Sequence, residues 1–261
     1  MGNAVVTFQR VIVETDRTSQ SPIAIHRDDV HVYGVLLEIA DSELPQAISV
    51  LSREEQERAA RLIADAHRRR SIAAHAMLRS ILSRYCGESP KQLAIGRTSD
   101  GKPFLSAYPS IRFNLSHSHS RALIAVARGR EIGVDIEKVR PEVDVVRLAK
   151  RFLSERDQTF IECGEPAQRH ERFLKTWVAR EAVFKAEGKG ITFPLDRDYL
   201  ELSSNGQDGR LITEQGRPDK TARSIRFLPL DPGWIGAVAA EGTNWTVTAS
   251  DWTASHISRG T

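Results

Sequence analysis

The polarity pattern divides the chain into strand-like and helix-like stretches. Near the start Val11, Ile12 and Val13 form a short apolar run. Val30, Val32, Val35 and Leu37 form a second run with partial alternation, as strands with a buried face show. From residue 54 to residue 85 the period lengthens. Leu62, Ile63, Ala66, Ala73, Ala76, Met77, Leu78, Ile81 and Leu82 recur at steps of three and four, which predicts helix. Ser42 or Ser52 stands where a cap belongs, and Gly87 and Pro90 end the pattern. It is long for one helix, and a break is expected between His67 and Arg70. Ser99-Asp100-Gly101-Lys102-Pro103 reads as a turn. Strands are predicted over residues 111–115, 122–127 and 131–137, and helices over 143–152 and 168–186. Gly188-Lys189-Gly190 closes the last helix. Residues 191–252 read mainly as strand and turn. Separate helix and strand blocks predict a mixed α/β (α+β) architecture, not a regular alternating barrel.

Composition narrows the class. The 261 residues correspond to one or two domains. With 40% hydrophobic and 27% charged residues, the chain is neither disordered nor fibrous. Lys and Arg number 37 against 34 Asp and Glu, and the net charge of +3 excludes a histone-like binder but allows local basic patches. Aromatics are 7% and are not interleaved with basic residues, so no nucleic-acid partner is expected. Cys86 and Cys163 belong to no C-x-x-C pair, which excludes a disulfide scaffold and zinc-finger spacing. Residues 1–9 lack a basic segment followed by an apolar one, and no apolar run approaches ~18 residues. A cytoplasmic protein without a membrane partner is expected.

Four constellations could carry chemistry. In Glu131-Ile132-Gly133-Val134-Asp135-Ile136-Glu137, alternation puts the three apolar side chains on one face. Asp135 and Glu137 share the other, about 7 Å apart at ~3.3 Å per residue. Two like charges there call for a cation between them, although a half-buried edge strand with a wet polar face meets the same pattern. On a helix, Trp177, Glu181 and Lys185 fall at i, i+4 and i+8. They could be a surface Glu–Lys pair beside a packed aromatic, or Glu181 could be a third acid for a divalent ion. The run Phe113-Asn114-Leu115-Ser116-His117-Ser118-His119-Ser120 offers hydroxyl and imidazole donors for a phosphate at a strand end. It lacks the G-x-S-x-G elbow of a nucleophilic serine and the spacing of a zinc site, and a plain polar loop would look the same. Finally Arg58, Arg61, Arg68, Arg69, Arg70 and Arg79, with His67 and His75, suit an anionic ligand or acidic surface, diluted by Glu54, Glu55, Glu57 and Asp65.

In order, Gly101-Lys102-Pro103, Asn114-Leu115-Ser116-His117-Ser118, Gly133-Val134-Asp135-Ile136-Glu137 and Trp177-x-x-Arg180-Glu181-Ala182-x-x-Lys185 closely resemble the Sfp-type 4′-phosphopantetheinyl transferases. Glu187-Gly188-Lys189-Gly190-Ile191 and Pro194-Leu195 are similar too. The likeness runs from about Leu51 to Leu202, with a weaker echo at Gly233-Trp234-Ile235-Gly236-Ala237-Val238. It implies a pseudo-twofold α/β fold with coenzyme A between two similar lobes, residues 1–134 and 135–261. It also implies Mg²⁺- or Mn²⁺-dependent transfer of phosphopantetheine from coenzyme A to a serine of an acyl, polyketide or peptidyl carrier protein, by a monomer, releasing adenosine 3′,5′-bisphosphate. By position, Asp135, Glu137 and Glu181 would be the metal acids, with Glu181 also the general base. Lys185 would meet the coenzyme A phosphates, and Ser116 and His117 the 3′-phosphate region. Gly101 and Lys102 would border the nucleotide, and Arg58, Arg69, Arg70 and Ser71 would add phosphate contacts. Two positions depart from the family pattern: Arg180 stands for a common lysine, and Glu55 for a lysine early in the first long helix.

Overall fold

Two long helices, each closed by a left-handed glycine, set the plan of the molecule. The structure, a computed structural model, describes residues 5–10, 22–188, 198–213 and 223–249. The chain opens with β1 (Phe8–Gln9), β2 (Asp29–Leu36) and a short α1 (Leu44–Ser49) that the polarity pattern did not announce. In α2 (Arg53–Ala60) Ser52 caps the backbone N–H of Glu55 while the Glu55 carboxylate takes the N–H of Ser52, a reciprocal capping box. The first long helix, α3 (Asp65–Cys86), then starts afresh after an extended Ala64 and ends at Gly87, φ 70°. The break therefore lies at residues 61–64, not at 67–70: Asp65 sits in the first turn of α3, where the helix dipole favours an acid, and His67 to Arg70 lie inside the helix.

A hairpin of β3 (Ile95–Arg97) and β4 (Pro103–Leu105) surrounds the expected turn, with Gly101 at φ 86°. Next come β5 (Ile111–Ser118), β6 (Arg121–Arg128) and β7 (Ile132–Lys138). Three helices follow: α4 (Val145–Phe152), α5 (Glu155–Glu162) and the second long helix, α6 (Pro166–Glu187), closed by Gly188 at φ 76°. The expected strands and turns beyond are β8 (Asp198–Leu202), β9 (Asp208–Thr213), β10 (Arg223–Phe227), β11 (Trp234–Glu241) and β12 (Thr246–Ala249). The apolar run at residues 11–13 and the glycine-rich motif with its tail at 189–195 lie outside the described residues.

The strands form two main sheets. In the first the order is β1-β2-β6-β5, and β12 runs parallel to β2 beside β1. In the second it is β7-β11-β10-β9-β8, antiparallel throughout. Alternation along the strands builds four layers. Tyr33, Val35, Ile124 and Val126 pack with Met77 and Ile81 of α3. On the opposite face Val30, Val32, Leu123 and Ala125 meet Ile132, Val134, Ile136 and Val238 of the second sheet. That sheet's outer face, with Ala237 and Ala239, lies under Val178 and Ala182 of α6. The order is helix, sheet, sheet, helix. The chain passes between sheets in the turn after Arg128, so residues 134 and 135 fall within β7, which belongs whole to the second sheet, and β12 returns to the first. Among the described residues no helix is long and apolar enough to cross a membrane.

Candidate active site

The site grows from the contact between β7 and α6. A Cβ on Gly133 would come within 2.0 Å of the Ala182 carbonyl oxygen and 2.4 Å of the Ala186 nitrogen, so only glycine lets the helix lie this close to the strand. On the same face of β7, Asp135 and Glu137 follow Gly133 at steps of two. Asp135 is 3% exposed and Glu181, on α6, is 7% exposed, so the wet edge strand and the surface Glu–Lys pair are both overturned. Lys185 reaches back from α6 to Asp135, its Nζ 2.6 Å from Oδ1, and also donates to the Ser116 hydroxyl at 2.9 Å. Ser116 donates in turn to Asp135 Oδ1 at 2.7 Å, and Ser118 donates to Glu137 Oε2 at 2.9 Å.

Burial raises both glutamates above the ordinary carboxylate range. Glu181 is pushed up to about 7, first by burial, then by the charge of Asp135 and to a lesser degree Glu137, with Lys185 opposing. Glu137 moves in the same direction, first by burial and next by Asp135, against the Ser118 hydrogen bond and the charges of Arg140 and Lys185. With Gly133 against the Ala182 carbonyl and Lys185 bonded to Asp135, the β7–α6 contact brings Glu181 towards Asp135 and Glu137. Asp135 Oδ2 and Glu181 Oε1 are buried oxygens without a hydrogen-bond partner. An unpartnered buried carboxylate oxygen is costly unless a cation or donor meets it. Among the described residues no three His, Cys, Asp or Glu side chains form a ready-made metal site by themselves. The hard oxygens and excess negative charge nevertheless fit a divalent ion of the kind that takes a few carboxylates and completes its shell with water and substrate phosphate.

A basic rim borders the acids. His117 sits below the ordinary imidazole range, mainly because the surrounding protein desolvates its ring, with the charges of His75, Lys185 and Arg70 adding and Asp135 opposing. Arg70 also acts on His119, together with Lys138 and Arg140. Ser116 and Lys185 thus bond Asp135 directly, while the charges of Lys185, Arg70 and Asp135 bear on His117. Other predicted contacts run elsewhere: Arg58 pairs with Glu54 on its own helix, and Arg69 with Asp41 and the Ile39 carbonyl. The Ser71 carbonyl bonds His75 Nδ1, and Gly101 shapes its turn. Lys102 pairs with Glu131 and donates to the Ala186 carbonyl at 2.6 Å, tying the hairpin to the end of α6. Glu55 is buried and takes Arg79 Nε at 2.6 Å, a fold contact in place of a phosphate contact. Arg180, 1% exposed, points away from the acids into Asp157 and the Asp198 carbonyl. Arg140 escaped the sequence reading, and Ser118 stands there only within its motif, with no role of its own, although it alternates with Ser116 as Glu137 does with Asp135.

Comparison with known proteins follows the same seam. Residues 131–238 match the family model described as the 4′-phosphopantetheinyl transferase superfamily. Residues 38–128 match the N-terminal model of 4′-phosphopantetheinyl transferases. The two matches meet where the chain passes from one sheet to the other. The 4′-phosphopantetheinyl transferase HetI of Nostoc sp. is 36% identical over 84% of this chain and 90% of its own. A putative 4′-phosphopantetheinyl transferase of Synechocystis sp. is 33% identical over 70% and 82%. The 4′-phosphopantetheinyl transferase Sfp of Bacillus subtilis is 28% identical over 80% and 91%. A holo-ACP-synthase structure from Plasmodium yoelii aligns with 44% of this chain at TM-score 0.33 and 16% identity, too slight a likeness to carry an argument. With both halves matched and a relative at 36% identity along most of its length, this chain belongs to the 4′-phosphopantetheinyl transferase superfamily, as a transferase of the Sfp type.

Proposed function

We propose that the protein moves the 4′-phosphopantetheine group of coenzyme A onto a serine hydroxyl of an apo carrier protein, with adenosine 3′,5′-bisphosphate leaving. Phosphopantetheinyl transfer to carrier proteins comes with the family. The donor, the ion, the leaving product, a monomeric state and a cytoplasmic setting are inferred. The observation that carries the reading is the meeting of Asp135, Glu137, Glu181 and Lys185 at the β7–α6 contact, with unpartnered buried oxygens on two of the acids.

In the reaction the serine oxygen forms a bond to the phosphorus that bears pantetheine, and the bond from that phosphorus to the bisphosphate oxygen breaks. The serine proton passes to Glu181, directly or through one water. Burial gives Glu181 a firmer hold on a proton than an exposed carboxylate has, the direction that task requires. Lys185 offsets charge on the transferring and leaving phosphates, and Arg70 and His117 face the remaining anionic groups of the nucleotide. Mg²⁺ (or Mn²⁺), held by Asp135, Glu137 and Glu181, would supply further neutralisation of the pyrophosphate oxygens.

The test is to incubate the protein with coenzyme A, Mg²⁺ and apo carrier proteins of the acyl, polyketide and peptidyl kinds, and weigh the carriers. Gain of the phosphopantetheinyl mass, lost on chelation, is expected. Glu181→Gln should lower kcat by about 10²–10⁴-fold, the usual worth of a positioned base. No gain with any carrier, or coenzyme A cleaved without one, would overturn the reading.

A further inference from the structure

We infer that Ser116 and Ser118 are positioning residues for Asp135 and Glu137, two rungs of a buried side-chain ladder that locks the acid pair of one sheet against the edge strand of the other. The inference rests on the reading of those acids as carboxylates for a divalent ion.

Strands β5 and β7 belong to different sheets and share no backbone ladder among the described residues. Side chains hold them together instead. Asn114 Oδ1 accepts the Val134 N–H at 3.0 Å, Ser116 donates to Asp135 Oδ1 at 2.7 Å, and Ser118 donates to Glu137 Oε2 at 2.9 Å. The partners lie 20, 19 and 19 residues apart in the chain, so the rungs climb both strands in step. Asn114, Ser116 and Ser118 alternate along β5 and are all buried.

Proton accounting fixes the direction of the middle rung. Lys185 Nζ can only donate, and it donates to Ser116 Oγ at 2.9 Å. The single hydroxyl proton of Ser116 is therefore directed at Asp135 Oδ1, which also receives Lys185. One oxygen of Asp135 is thus held twice, and Oδ2 is left buried without a partner. The ladder decides which oxygen is offered. A serine used in this way spends its one hydroxyl proton on Asp135 and acts through that acid.

The outer rung is held from a second side. Ser118 pairs with Arg121 across a two-residue turn, and His119 in that turn has φ 51°, a region that favours glycine. Its ring rests edge-on against Trp234 of β11, with centroids 6.5 Å apart, so the tip of β5 leans on the second sheet.

The experiment uses the full chain and the variants Ser116→Ala, Ser118→Ala, Ser116→Thr and Ser118→Thr. Three quantities are read: Mn²⁺ binding by calorimetry, the Mg²⁺ concentration giving half-maximal transfer, and the KM for coenzyme A. Melting temperatures report folding. Loss of a residue that orients a metal ligand costs about 10–100-fold in metal affinity, and the alanine variants should show a loss of that size. Threonine keeps the hydroxyl and should restore most of it. In Ser118→Ala the KM for coenzyme A at saturating Mg²⁺ should stay near wild type. Should Ser116→Ala not fold, Ser118→Ala beside the exposed turn carries the same test. Folded alanine variants with wild-type ion dependence, or with only a raised KM for coenzyme A, would overturn the ladder while leaving the transferase intact. A wild-type protein indifferent to divalent ions would overturn both.

Discussion

At the scale of single residues, burial moves titratable groups in the direction that removes charge, inside the site and away from it. Glu181 rises for this reason inside the site. His31 falls for the same reason in the first sheet, with Asp29 opposing and His26 assisting. Its Nδ1 lies 2.7 Å from the Tyr85 hydroxyl, which lies 2.5 Å from the hydroxyl of Tyr33, and burial pushes the Tyr85 phenol well up. The folded pKa of His31 is below its unfolded value of 6.5, so the unfolded chain takes up the proton first as pH falls. The stability it contributes is present above that unfolded value and is lost as pH drops below it. Thermal melts from neutral pH down to about pH 5 should therefore show a steeper fall for wild type than for His31→Gln, which cannot be protonated. Equal slopes would show that His31 is as easily charged folded as unfolded.

At the scale of elements, the contact between β7 and α6 sets where the acids meet the lysine. Gly133→Ala drives a methyl into the Ala182 carbonyl and the Ala186 nitrogen, and a helix backbone cannot step aside as a side chain can. Overpacking of this kind costs about 1–3 kcal/mol and shifts backbone. The shift separates Glu181 and Lys185 from Asp135. We expect a lower urea midpoint together with a fall in kcat that persists at temperatures where the variant is fully folded. A kcat unchanged in folded protein would show that the spacing is not critical. Arg180 belongs to the same element but to a different job. It joins α6 to Asp157 of α5 and to Asp198 of β8, while Asp157 also takes Ser154 at 2.9 Å and the Leu200 N–H at 3.0 Å. Arg180→Met leaves that acid uncompensated, and removal of one partner of a buried pair costs about 3–5 kcal/mol. Calorimetric unfolding should register the loss, with KM for coenzyme A unmoved. The polarity pattern made α3, α6 and strands β5 to β7 legible, because their apolar patterns are regular and glycine closes both helices. It also placed Asp135 with Glu137, and Glu181 with Lys185, since each pair is local. It was silent on α1 and α5, which are short, and on the partners of Glu55, Arg180 and Ser116. Those partners lie 24, 23 and 19 residues away, and spacing within one element carries no information about them.

At the scale of the whole molecule, the small net charge of +3 averages a buried acid cluster and the basic groups around it. Chemistry of this kind demands that two sheets hold a fixed relation, because Ser116 and Ser118 come from one and Asp135 and Glu137 from the other. The shared core between them supplies that relation, and it is closed by the return of the chain from β11 to β12. Trp245 lies in that return, 2% exposed, and packs into the layer built from Val30, Leu123, Val134 and Val238 of both sheets. Its indole N–H donates to the Gly242 carbonyl at 3.0 Å. Arg226 lies 4.7 Å over its ring and donates to its carbonyl at 2.8 Å. Trp245→Ala should cost about 3–5 kcal/mol, the range for loss of a large buried aromatic. Because the lost contacts belong to both sheets, the whole chain should melt earlier as one unit, not one half before the other. Urea transitions followed by far-ultraviolet circular dichroism and by fluorescence should shift together. Unlike Gly133→Ala, this variant should keep its turnover per folded molecule, since Trp245 contacts none of the acids. Two separated transitions, or a turnover loss in fully folded protein, would show that the return strand serves only one sheet or reaches the site by a route other than the shared core.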